Sequence, residues 1–214
     1  MAFSAQHLDD MKTSRQRKYP VARQSRNAGR NLKSNDSPLI HLAGIPGCGK
    51  TEFSRWLERE KDFVHLDFDR LLEGEGSTDQ LTRVNVLRTQ GPRAFVEELR
   101  RIGKPVIVDW GFPTSCLPLV RELNELGVMT WWFDGDRKAA RELFLQRGDV
   151  PVAALDAQLT AIRRDWPTIK RIIGRRVVKN LDKSGQFLAP NLVFRRVVGR
   201  RSVRSQSWKD RRLD

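Results

Sequence analysis

From residue 38 onward the apolar positions fall into two alternating rhythms. PLIHLAG (38–44), DFVHLDF (62–68), KPVIVDWGF (104–112), VMTWWFD (128–134) and RRVVKNLD (175–182) are short, near-continuous apolar runs. Such runs predict buried strands. Between them apolar residues return at helical spacing, as at Phe53, Trp56 and Leu57. This spacing predicts helices after the glycines at 47 and 49, and over 81–90, 92–103, 116–127, 137–148, 152–173 and 190–198. The segment 92–103 starts at a proline and ends at a glycine, as helices commonly do. EGEGSTDQ (73–80) carries turn residues and predicts a loop. Strands alternating with helices predict an α/β fold: a parallel, roughly five-stranded sheet between two helical layers. Right-handed crossovers then carry every strand's carboxyl end to one edge, where the chemistry of such sheets sits.

The ends of the chain read differently. Residues 1–37 lack periodic apolar positions, and 199–214 are polar and basic. The expected organisation is a basic disordered tail (1–37), one domain (38–198) and a second basic tail (199–214). The net charge of +14 follows the same division, with +5 on residues 1–38 and +6 on residues 195–214. Ends of this kind attract phosphate backbones without reading sequence, so nonspecific nucleic-acid contact is one expectation and a solvated tail the other. Two lone cysteines, Cys48 and Cys116, give neither a disulfide framework nor a zinc pattern. No apolar run reaches a membrane span or a secretory core, which makes the cytoplasm the expected compartment.

The first predicted strand runs into GIPGCGKT (44–51), which fits G-x-x-x-x-G-K-[ST], the phosphate-binding loop. The strand before it and the amphipathic helix after it are the context that this motif requires. Gly44, Ile45, Pro46, Gly47, Cys48 and Gly49 supply the cradle of backbone N–H groups. Lys50 reaches the β- and γ-phosphates, and Thr51 ligates Mg²⁺. Cys48 reads as a small packing residue. A metal carboxylate is also needed at a strand end, and VIVDWGF supplies Asp109. HLDFDR adds Asp67 and Asp69, two apart. In extended geometry both face one site, one to take a proton from a hydroxyl and the other to orient a metal water or substrate group. His41 and His65 read as core histidines, and Trp131 and Trp132 as sheet core.

GIPGCGKT, LDFDR, VIVDWGF and the Arg-rich segment FDGDRKAARELFLQRGD resemble the small P-loop kinases, a group that includes polynucleotide kinases, zeta toxins, gluconate kinase and chloramphenicol phosphotransferase. The resemblance spans about residues 38–198. It implies the three-layer P-loop fold of nucleoside-kinase type with a helical lid at about 136–173. It implies Asp69 as the catalytic aspartate, Asp67 as the second carboxylate and Asp109 as the metal carboxylate. Among Arg137, Arg141 and Arg147, it puts Arg141 and Arg147 forward as the lid arginines that close over the transferring phosphoryl group. The expected activity is transfer from ATP to a hydroxyl of a small molecule or of a polynucleotide 5′ end. ATP is the default nucleotide, since no Asn-Lys-x-Asp guanine motif occurs. The alternative is a nucleotide-dependent ATPase switch that binds nucleic acid or a partner.

Overall fold

The computed structural model of the chain describes residues 37–148 and 151–199. The expectations for the basic tails therefore lie largely outside the described residues. Five strands form the sheet: β1 (Leu39–Gly44), β2 (Val64–Asp67), β3 (Val106–Asp109), β4 (Met129–Gly135) and β5 (Val177–Leu181). Their order is β2-β3-β1-β4-β5, and every pairing is parallel. The three-layer P-loop α/β fold is thus present, with β1 at the centre and β2 and β5 at the edges. β1 is buried along its whole length, which is why it reads as an unbroken apolar run rather than an alternating one.

Among the described residues the helices are α1 (Lys50–Lys61), α2 (Phe68–Leu72), α3 (Thr78–Gln90), α4 (Pro92–Arg101), α5 (Leu117–Glu125), α6 (Arg137–Leu145), α7 (Val152–Ile173) and α8 (Pro190–Val197). Each contributes buried apolar residues to the one core cluster that includes the sheet. Phe53 of α1 packs against Phe133 of β4 at 5.5 Å between ring centroids, and Trp132 meets Trp166 of α7 at 5.6 Å. Trp132 is core, as expected, while its neighbour Trp131 is only half-buried. None of these helices is long and apolar enough to cross a membrane.

Two local expectations change. The second strand stops at Asp67, whose side chain accepts from the backbone N–H of Arg70 and caps α2. An aspartate at that point offers the backbone a helix start in place of further ladder bonds. The segment 73–80 is a loop only as far as Ser77. There a capping box forms: the Ser77 hydroxyl accepts from the Gln80 N–H, and the Gln80 side chain accepts from the Ser77 N–H. The S-x-x-Q spacing in the sequence encodes that start.

Candidate active site at the carboxyl edge of the sheet

The loop between β1 and α1 is held from three sides. The Ile45 N–H donates to the Phe133 carbonyl of β4 at 3.1 Å. The buried Cys48 thiol donates to the Ile45 carbonyl at 2.8 Å and to that of Phe133 at 3.2 Å. Burial pushes this thiol up to about 11, so it stays neutral and acts as packing. From β5, the Asn180 amide donates to the Cys48 carbonyl at 2.9 Å. Asn180 is a residue of the candidate site that sequence reasoning missed. Its signal was a lone amide inside an apolar strand, where a buried polar group needs a specific partner.

Two glycines here are sterically required. Gly44 lies so close to β4 that a Cβ would collide with the Phe133 backbone. Gly47 has φ 79°, and a Cβ there would run into the Ala140 carbonyl of α6. The N-cap of α1 is Gly49, which has no capping side chain. The first-turn N–H groups of α1 are therefore left to an anion, the arrangement from which phosphate loops derive their affinity.

Lys50 folds back over the loop, its Nζ donating to the carbonyls of Ile45 at 3.2 Å and Gly44 at 3.5 Å. Beside it stands Asp109 at the end of β3. Asp109 is 2% exposed, and its Oδ2 has no hydrogen-bond partner among the described residues. Burial raises its carboxyl to about 6, opposed by Lys50, by the Thr51 hydroxyl and by Arg147. A buried carboxylate with an open oxygen, next to a threonine hydroxyl and a lysine, suits a hydrated divalent cation.

Asp69 joins them, though not by the route the sequence suggested. It lies in the first turn of α2, not in an extended strand. The chain's turn at Asp67 still directs it inward: its Oδ2 accepts from the Gly111 N–H at 3.4 Å. Burial raises its carboxyl to about 6, Lys50 lowers it, and Asp109 and Asp67 raise it further. The residue keeps an exposed flank, where solvent screens part of this effect. Gly111 is fixed on its other side by Gln158 of α7, whose amide donates to its carbonyl at 3.0 Å. Gln158 also escaped sequence reading, because nothing in a helix pattern marks a residue that reaches another element.

The arginines of 137–147 divide in three ways. Arg137 pairs with Asp134 at 3.2 Å, and Arg141 pairs with Asp156 of α7 at 3.3 Å. Arg147 has no ion pair among the described residues, and its charge is felt at Asp109. Of the histidines, His41 is buried and its Nδ1 meets the Thr130 hydroxyl at 3.2 Å, though its Nε2 is buried without a partner among the described residues; burial lowers it to about 4. His65 is no satisfied core histidine: its Nε2 is buried without a partner.

Fold and loop together are those of the three-layer P-loop α/β architecture. No protein-family model matches the chain, and no curated protein does. Among solved structures it is similar to shikimate kinase from Acinetobacter baumannii in complex with shikimate, at 16% identity, TM-score 0.47, and coverage of 75% of this chain and 93% of that one. It is also similar to a gluconokinase from Sinorhizobium meliloti, at 17% identity, TM-score 0.43, and coverage of 81% and 97%. What the site does is read from its own residues.

Proposed function

We propose that the chain is an ATP-dependent kinase that transfers the γ-phosphoryl group to a hydroxyl of a small molecule or of a polynucleotide 5′ end. One observation carries this reading: the Asp69 carboxylate is held by Gly111 beside Lys50 and Asp109, at the mouth of the phosphate loop. A nucleotide switch has no need of an oriented carboxylate at that place, whereas a kinase uses one to take the acceptor's proton.

The residues then divide the work. The N–H groups of Gly47 to Thr51 hold the phosphates, and Lys50 exchanges its two loop carbonyls for phosphate oxygens. Thr51 and Asp109 are the residues that would hold Mg²⁺, which when bound offsets phosphate charge. Asp69 accepts the proton of the attacking hydroxyl. Gly111 and Gln158 keep its oxygen aimed, and Asp67 caps the helix that carries it. Arg147 is the lid cation placed to offset charge on the transferring group; Arg141, tied to Asp156, sets how α6 meets α7.

The test is transfer of labelled γ-phosphate from ATP with Mg²⁺ to a panel of 5′-hydroxyl oligonucleotide, nucleosides, sugars and aminoglycoside-like alcohols. Label is expected on one acceptor class. Asp69→Asn is expected to lower transfer by about 10²–10⁴-fold while sparing ATP binding. Label released only as phosphate, equally in parent and variant, would replace the kinase with an ATPase switch.

A further inference from the structure

Phosphoryl transfer as proposed leaves His65 without a task. Its Nε2 lies 3.9 Å from Asp109 Oδ2, and neither atom has a hydrogen-bond partner among the described residues. Both are deeply buried, His65 at 8% exposed and Asp109 at 2%. At that distance they do not hydrogen bond each other. Asp67 is two strand positions beyond His65 and so projects on the same side of the sheet. It also stands opposite Asp109 in the β2–β3 ladder. One donor atom from each of the three lies within 4.8 Å of the other two.

Leaving two buried polar atoms unpaired is costly. An ion between them removes the cost. Metal–ligand bonds of about 2.0–2.2 Å put two ligands of one ion about 3–4 Å apart, so the His65–Asp109 spacing already fits. The imidazole of His65 would coordinate through the lone pair of its buried Nε2. Asp67 uses Oδ1 to cap α2 at 3.4 Å and retains Oδ2.

We propose that His65, Asp67 and Asp109 form a three-ligand site for a divalent transition metal of the Mn²⁺, Co²⁺ or Zn²⁺ kind. An imidazole ligand favours such ions over Mg²⁺, which prefers oxygen alone. The site shares Asp109 with the Mg²⁺ position described above, so it changes which ion this edge of the sheet takes. It needs neither nucleotide nor transfer, and it stands or falls separately from the kinase reading.

The probe is Co²⁺ alone, added to the full chain without nucleotide and followed by its visible absorption. The expected result is one bound equivalent that a hundredfold excess of Mg²⁺ does not displace. His65→Gln is expected to weaken binding by at least about tenfold, the loss seen even for outer-shell partners. The chain has only three histidines, so proton NMR of the parent gives a second readout that needs no folded His65 variant. A Co²⁺-shifted imidazole signal is expected, and it persists in His7→Ala. Binding that is absent without nucleotide, unchanged in His65→Gln, lost with His7, or displaced by equimolar Mg²⁺ would overturn the site.

Discussion

A carboxylate takes a proton from an alcohol only when it is itself ionised. Burial raises Asp69 to about 6, which sets the direction of its pH profile. Transfer is expected to rise as pH increases through about 6 and to level off above it. The buried His41 works in the opposite sense on stability. Folding lowers it to about 4, so between that value and its ordinary value the unfolded chain binds the proton and the folded chain does not. Stability from this group is complete above the unfolded value of about 6.5 and is lost as pH falls toward 4. Asp69 and Asp109, both raised by burial, gain stability over part of the same range and mask the effect in the parent chain. The clean measurement is the difference between parent and His41→Gln in urea midpoint. The parent's advantage is expected to shrink from pH 7 to pH 4, by up to about 3 kcal/mol. A pH-independent difference would mean that His41 titrates normally in the fold.

At the scale of elements, the site is a meeting of strand ends with two reaching helices. β1 delivers the loop, β3 delivers Asp109, and the β2–α2 junction delivers Asp69. β5 contributes the clamp from Asn180 to the Cys48 carbonyl, which holds the phosphate loop on the side away from the carboxylates. Asn180→Ala leaves that carbonyl without its partner in a buried place. A loss of about 1–3 kcal/mol in unfolding free energy is expected, together with weaker ATP binding. Urea denaturation and nucleotide titration of the same variant check both. Stability lost without any change in ATP affinity would reduce Asn180 to a packing residue. The β2–α2 junction also shows that one placement of two carboxylates can be reached by a route other than the expected one. The i, i+2 spacing of Asp67 and Asp69 put both carboxylates at the site through a strand. The chain does it by capping, with Asp67 starting a helix whose first turn turns Asp69 toward Gly111.

Across the whole molecule, charge and fold are separable. Most of the net charge of +14 lies on the terminal segments, outside the sheet and its helices. If those segments contact nucleic acid, binding weakens steeply as salt rises, and removing residues 1–35 flattens the slope. Transfer to a small acceptor is expected to survive that deletion unchanged. An unaltered salt slope would show that the N-terminal segment takes no part.

The parallel sheet, the phosphate loop and the carboxylates at its edge were legible in the sequence. Burial on both faces forces apolar runs, and the loop's tight approaches force glycine at fixed intervals. Such constraints act between residues near in sequence, so one strand of letters carries them. The order β2-β3-β1-β4-β5 was not legible, nor were Asn180 beneath the loop, Gln158 on Gly111, or the division of Arg141 from Arg147. The partners of Asn180, Gln158 and Arg141 are 132, 47 and 15 residues away, and only packing brings them into range. His65 is the sharpest instance. A histidine inside a strand has the same pattern whether its ring is satisfied or not. Only the register that sets Asp67 against Asp109 brought its nitrogen to 3.9 Å from a carboxylate oxygen.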